Sequence, residues 1–226
     1  MKAVILAAGK GLKISSRGEV PACMIKVGGK TLLEHNFSQL PGQIKEVIMV
    51  VGHLKSKIKD QVGKNFGGRA VRFVEQKERM GTAHALSFCK HILTDEKFMV
   101  LMGDNLYLKS DMERCLNHDL AVLVKRLETP ESFGIVEERG GFLLKAQERP
   151  RSMVGTYIDC GLYVLDGRIF KFPMVQSSNG EMRLLQQVDL MSRKLPVRVE
   201  KAGLWMPTST LQDIRRSRDH IKNLFG

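Results

Sequence analysis

The chain is 226 residues long, 43% hydrophobic and 27% charged, with a formal net charge of +12. This length suits one domain with a sizeable core, and the composition is that of an ordinary soluble globule, which excludes collagenous, low-complexity and disulfide-framed classes. No apolar stretch approaches a membrane span and the opening residues lack the layout of a secretory signal, so no membrane is expected and the expected address is the cytoplasm.

In chain order, apolar runs alternate with helical patterns. Strands are expected at Lys2–Ala7, Glu46–Gly52, Ala70–Glu75, Phe98–Met102 and Leu120–Lys125. Between them the spacing predicts helices at Thr31–Leu40, Leu54–Val62, Thr82–Leu93 and Asp111–Asn117. Pro41 and Gly42 stop the first helix, and Thr82 is placed to cap the third. Such alternation is the signature of right-handed βαβ units, hence an α/β fold with a mainly parallel sheet covered on both faces. From Gly134 to Leu165 the pattern changes to closely spaced extended pieces, with Gly140 and Gly141 as a hairpin turn. A helix over Glu181–Met191, a short strand Val197–Lys201 and a final amphipathic helix carrying Leu211, Ile214, Ile221 and Leu224 complete the chain. No repeat or linker interrupts it, so residues 1–226 read as a single domain.

Much of the positive charge lies between His53 and Arg72, where Lys55, Lys57, Lys59, Lys64, Arg69 and Arg72 face only Asp60. Arg215, Arg216, Arg218 and Lys222 add to it near the end. Excess of this kind favours polyanions in general. Leu54, Ile58 and Val62 nevertheless recur at helical spacing, which puts Lys55, Lys57 and Lys59 on the wet side of an amphipathic helix. No aromatic interleaving accompanies the charge, so nucleic acid is not the expected partner. Cys23, Cys89, Cys115 and Cys160 are far apart with no CxxC pair, and buried reduced thiols are expected.

In open α/β sheets, ligands sit beyond the carboxyl ends of strands, so the loops 8–21, 76–82 and 103–105 should share a pocket. The first strand empties into Gly9 and Gly11, flanked by Lys10 and Lys13. Small residues there let backbone N–H groups approach an anion, and the ammonium groups neutralise it; an ordinary tight turn would use the same glycines. In the second loop the Gln76 amide can pair with the donor–acceptor edge of a pyrimidine base, and Gly81 lets the backbone come close to it. In the third, Asp104 stands at the end of an apolar strand, where a divalent metal bridging phosphates would fit. A turn former or helix cap is the plainer use of such an aspartate. A dinucleotide-binding oxidoreductase is disfavoured, because the third glycine of GxGxxG is Ile14 and a polar loop follows.

Taken together, these pieces resemble the sugar-1-phosphate nucleotidylyltransferases (nucleotide-sugar pyrophosphorylases), closest in motif to uridylyltransferases. Leu6, Ala7, Ala8, Gly9, Lys10 and Gly11 match that family's nucleotide loop, and Val27 to His35 match the segment leading into its first helix. Gln76 to Ala85 resemble the base-reading loop, and Asp104 stands at the metal-binding aspartate. Phe133-Gly134, Glu148-Arg149-Pro150, Asp159 to Tyr163 and Gly180-Glu181 are similar to the sugar-binding half. The resemblance implies a Rossmann-like three-layer fold with a small antiparallel sugar-binding insertion, its nucleotide half at about 1–130 and its sugar half at about 131–226. It implies in-line attack by a sugar-1-phosphate on the α-phosphate of a nucleoside triphosphate, UTP by motif, with pyrophosphate leaving and Mg2+ as cofactor. Lys13 and Asp104 would be catalytic, with Asp104 the metal ligand. Leu6, Ala7, Ala8, Gly9, Gly11, Gln76, Gly81 and Thr82 would bind the nucleotide. Gly134, Glu148, Arg149, Asp159 and Glu181 would bind the sugar phosphate. His84 is expected to be structural, and a homo-oligomer is compatible with all of this.

Departures from the family pattern cluster on the chemistry. The family's loop arginine is Lys13, and the loop is shorter by about one residue. Its proline–lysine is Pro21-Ala22, with Lys26 the nearest substitute. The second metal ligand, two residues after a tryptophan, is Pro207 after Trp205; a threonine–aspartate pair is Leu185-Gln186. Arg149 replaces a lysine and Asp159 an asparagine. These losses keep a second expectation open: a catalytically impaired relative that senses nucleotide-sugar or serves as a regulatory subunit.

Overall fold

Alternation along the first strand, β1 (Lys2–Ala7), sets the layering: Ala3 and Ile5 enter one apolar cluster while Val4 and Leu6 enter another. The computed structural model describes residues 1–9, 20–94, 96–126, 133–148, 157–177, 179–208 and 213. After β1 come β2 (Lys26–Val27), β3 (Lys30–Thr31), α1 (Leu32–Gln39), β4 (Glu46–Val51), α2 (Lys55–Val62), β5 (Asn65–Phe66) and β6 (Arg69–Glu75). Next are α3 (Thr82–Ser87), β7 (Phe98–Met102), β8 (Asn105–Tyr107), α4 (Lys109–Leu116), β9 (Ala121–Lys125), β10 (Gly134–Arg139) and β11 (Phe142–Glu148). Then follow β12 (Tyr157–Leu165), α5 (Leu184–Ser192), β13 (Arg198–Lys201) and β14 (Trp205–Pro207). Short 3-10 turns occupy Ala22–Met24 and Gly167–Lys171.

Ten strands form one sheet in the order β10-β11-β13-β9-β12-β7-β1-β4-β6-β5. The block β6-β4-β1-β7 is parallel throughout, as the alternating pattern predicts. β12 is wedged antiparallel between β9 and β7, so the extended pieces from Gly134 onward join the main sheet. β10 and β11 form the expected hairpin across Gly140 and Gly141, both at positive φ (62° and 80°), the backbone a tight hairpin turn requires. On one side of the sheet α1, α2 and α4 bring Phe37, Ile58 and Met112 to the core; on the other, α3 and α5 bring Leu86 and Val188. The three layers follow.

Several helix starts differ from the pattern-based expectation: α4 begins at Lys109 and not at Asp111, and α5 at Leu184 and not at Glu181. Leu54 has φ 55° and ψ 28°, a left-handed residue that precedes α2, so the helix begins at Lys55. Thr82 does not cap α3: Gly81 holds that position, and the Thr82 hydroxyl instead accepts the Leu184 N–H at the start of α5. α3 also ends at Ser87, giving way to turns closed by i to i+3 bonds such as Cys89 N–H to Leu86 O. α1, by contrast, carries a full capping box: the Thr31 hydroxyl accepts from Glu34 N, and Glu34 accepts from Thr31 N. Of the expected final helix only Asp213 is among the described residues, and it is helical.

All four cysteines are free and buried. Lys57 is exposed on α2 while Ile58 and Val62 are buried, and Lys55 pairs with Glu75, so the helical part of the basic stretch is a solvated face; Arg69 and Arg72 lie on β6, where Arg69 donates to Ile44 O and Leu40 O and Arg72 pairs with Glu46. No helix among the described residues is long and apolar enough to cross a membrane.

The turn between β13 and β14 hangs on Asp111. Its fully buried carboxylate accepts from Arg114 (2.8 Å), Gly203 N (3.2 Å) and Leu204 N (3.3 Å). Asp111→Ala leaves two backbone N–H groups without their acceptor and is expected to cost about 3 kcal/mol, read as a fall in the urea midpoint at unchanged slope. A loss below about 0.5 kcal/mol would show that the turn stands without it.

Candidate active site

Three strand ends converge at the carboxyl edge of the parallel block. β1 delivers Leu6, Ala8 and Gly9, β6 delivers Gln76, and β7 delivers Met102 and Asp104 to the wall of one cavity of about 970 Å³. Lys77 to Thr82 extend that wall, and Glu181 and Arg183 close it from the far side. Of the loops expected to share a pocket, Ala8 and Gly9 of the first, Gln76 to Thr82 of the second and Asp104 of the third do so among the described residues. Ala7, pointing to the opposite face, is not on the wall.

Gly81 is the hinge of the arrangement. It sits at φ 100°, ψ 180°, and a Cβ there would lie 2.4 Å from Met182 O and 2.7 Å from Met182 N. This closeness zips the loop to the segment before α5: Met182 N donates to Met80 O (2.7 Å), Ala83 N to Met182 O (2.9 Å) and Leu184 N to Thr82 Oγ1 (2.8 Å). Glu181 and Arg183, which form an ion pair, are thereby held over the cavity. Gln76, buried at the end of β6, donates through Nε2 to Gly81 O (3.1 Å) and to His84 Nδ1 (3.0 Å). His84 packs edge-on against Phe88.

Asp104 is half-buried, and desolvation pushes its carboxyl above the ordinary carboxylate value. Among the described residues no cation pairs with it; its own backbone N–H is the only donor that lowers the shift. The loop around it is fixed through its backbone. Asn36 donates to Asn105 O (2.9 Å) and Gly103 O (3.4 Å), and the Thr208 hydroxyl donates to Asp104 O. β14 pairs with β8 so that Pro207 stands opposite Asn105, beside Asp104, and brings no side-chain ligand atom to that place. Ala22 lies in the turn before Cys23, whose thiol is pushed up to about 12, mainly by burial and then by Asp104, and so stays protonated. Lys26 is exposed on β2 beside Glu34, not on the cavity wall.

In the second half, Gly134 and Glu148 are cross-strand partners at the open end of the β10–β11 hairpin. Asp159 is not on the cavity wall: its carboxylate accepts from Gly161 N (2.8 Å) and from the Tyr163 hydroxyl at a bulge in β12. Gly161, at φ 73°, abuts Met102 on the wall. Lys10, Gly11, Lys13 and Arg149 lie outside the described residues. Asn36, Thr208 and Arg183 carry no motif that singles them out; Asn36 and Thr208 reach the Asp104 loop from 67 to 104 residues away, whereas Arg183 pairs locally with Glu181.

Residues 2–223 match the Nucleotidyl transferase family model. The chain is 28% identical over 233 residues to a bifunctional protein GlmU of Methanococcus maripaludis, covering 99% of this chain and 55% of that protein. It is 32% identical over 206 residues to UTP–glucose-1-phosphate uridylyltransferase AglF of Haloferax volcanii, covering 85% and 84%. The chain thus spans about half the length of the GlmU relatives it matches. Among solved structures, a UDP-glucose pyrophosphorylase complexed with UDP-glucose superposes with TM-score 0.85 at 15% identity, covering 99% of this chain and 98% of the other. A putative glucose-1-phosphate thymidylyltransferase from Bacillus anthracis does so with TM-score 0.85 at 20% identity, covering 98% and 95%. Those likenesses establish the Rossmann-like α/β fold. With the family model matching nearly end to end and the strand-end cavity in place, this chain belongs to the nucleotidyl transferase family.

Proposed function

We propose that the chain transfers a nucleotidyl group from a nucleoside triphosphate, UTP first, to a sugar-1-phosphate and releases pyrophosphate. One observation carries the reading: a single cavity gathers Leu6, Ala8 and Gly9 at the end of β1, the Gln76–Thr82 loop, Asp104 and Glu181. The relative named as a UTP–glucose-1-phosphate uridylyltransferase supports uridine and a hexose phosphate as the first substrates to try.

A phosphate oxygen of the sugar-1-phosphate bonds to the α-phosphorus while the bond from that phosphorus to the β-bridging oxygen breaks, so positioning and charge carry the reaction. Backbone N–H groups of the 8–11 loop and the Lys13 ammonium take the triphosphate; Gln76, Gly81 and Thr82 take the base. Gly134, Glu148, Arg149 and Glu181 take the sugar phosphate, with Asp159 behind them shaping β12. Asp104 suits Mg2+: a desolvated carboxylate without a protein cation among the described residues, where one carboxylate plus substrate oxygens meets that ion's needs. A magnesium ion bound there supplies charge neutralisation to the phosphate oxygens. No acid–base dyad is required, and the buried thiols take no part.

A second reading, a nucleotide-sugar sensor or regulatory subunit, is favoured by one observation. Pro207 stands where a second ligand beside Asp104 would be. Pyrophosphate release with UTP, Mg2+ and a panel of sugar-1-phosphates separates the two. Release is the expected result; UTP stabilising the protein against heat without release across the panel would select the sensor.

A further inference from the structure

We infer that Asn36 is a positioning residue for Asp104: from α1 it grips the two carbonyls that flank this aspartate, and with Thr208 it fixes the carboxylate for a divalent metal that has no second side-chain ligand at Pro207. The inference rests on reading Asp104 as the metal ligand of the nucleotide site, and names what aims it. Asn36 is fully buried in α1, which packs on β8. Its amide nitrogen lies 2.9 Å from Asn105 O and 3.4 Å from Gly103 O. Carbonyls only accept, so nitrogen is the atom that faces them, and each of its two hydrogens has a target. The Thr208 hydroxyl takes the carbonyl between them, Asp104 O. Three consecutive carbonyls are thus each held by a side chain from a distant part of the sequence. The Gly103 N–H is tied as well, to Leu6 O at 2.9 Å.

The arrangement costs free energy, because Asn36 Oδ1 is buried with no hydrogen-bond partner among the described residues. Leucine, similar in size, would bury no bare oxygen there, but it could not donate twice. Asn105 O has particular need of a side-chain donor, since its cross-strand neighbour Pro207 has no N–H. The same proline leaves the metal a single carboxylate. Two carboxylates can locate an ion by chelation even when each is loosely held. One cannot, so its oxygens must already stand where the ion and the phosphates meet. No peptide from Gly103 to Asn105 can rotate without losing one of these bonds, and the direction in which Asp104 projects is thereby set.

The test is titration calorimetry of the full chain with UTP, once with Mg2+ and once with EDTA. The ratio of the two affinities is what the metal contributes. Mg2+ is expected to tighten UTP binding by the wild-type protein. Asn36→Leu should cut the ratio by about tenfold, the scale of loss when a group that orients a metal ligand is removed, while the affinity in EDTA stays as in wild type. Thr208→Val keeps the side-chain shape without the donor; it should cut the ratio in the same direction, and it carries the test if Asn36→Leu does not fold. A merely structural asparagine would change the melting temperature, or both affinities together, and leave the ratio alone. A wild-type ratio in the folded variants overturns the positioning role and leaves Asp104 as the metal ligand. A wild-type protein that gains nothing from Mg2+, or a gain that survives Asp104→Asn, overturns the metal reading and the inference with it.

Discussion

Asp104→Asn is expected to lower pyrophosphate release by at least about a hundredfold, and at the same time to raise the melting temperature of the ligand-free protein at neutral pH. The two effects share one cause. Burial, with no cation among the described residues to offset it, lifts the Asp104 carboxyl above its ordinary value. Between that ordinary value and the raised one, the folded protein holds a proton that the unfolded chain has released. The unfolded state therefore binds fewer protons in this window, and stability falls as pH rises through it. Asparagine carries no charge to desolvate, so the variant should lose this part of the pH dependence and melt higher once the wild-type carboxylate is ionised. Adding Mg2+ with UTP should reverse the order, stabilising wild type more than the variant. Melting curves at several pH values, with and without Mg2+ and UTP, read all of this. Equal Mg2+-dependent stabilisation of both proteins would remove Asp104 from the metal site.

Gly81→Ala is the second large effect. A methyl group at φ 100°, ψ 180° is strained wherever it stands, by roughly 1–3 kcal/mol. Here it would also meet the Met182 backbone at 2.4–2.8 Å, atoms that cannot swing aside like a side-chain tip. The loop must separate from the segment before α5, breaking the bonds between Met80, Ala83 and Met182. A loss of about 3 kcal/mol or more is expected, a fall of roughly 6–12 °C in melting temperature for a chain of this size. UTP binding should weaken with it, because Gly81 O accepts from the Gln76 amide and orients it. Gly140→Ala, at an open turn with no atom within 4 Å, gives the comparison: strain alone, without the clash. If both variants lose the same stability, the contact with Met182 contributes nothing.

These sites differ in how far they could be read from the chain. The capping box of α1, the hairpin at Gly140 and Gly141 and the parallel block from β1 to β7 all follow from neighbouring residues, since caps, turn angles and apolar period are local properties. Helix starts were less legible. Leu54 fits the apolar spacing of α2 but takes a left-handed backbone, and Thr82 looks like a cap yet spends its hydroxyl on a helix 102 residues away. The motifs marked Gln76, Gly81 and Asp104 through resemblance, without their surroundings. That Asp104 has no cation among the described residues, that Pro207 lies beside it and that Arg183 reaches the cavity depend on which strands become neighbours.

By itself the sequence determined the family, the α/β alternation and the three loops proposed to carry the chemistry, because hydrophobic period and short glycine-bearing motifs reside in consecutive residues. Only the tertiary structure decided that β12 enters the main sheet, that the Gln76 loop is zipped to Met182, and that Asn36 and Thr208 together hold the carbonyls around Asp104. Those outcomes rest on strand order and on donors meeting acceptors, most of them across long separations, which no local pattern encodes.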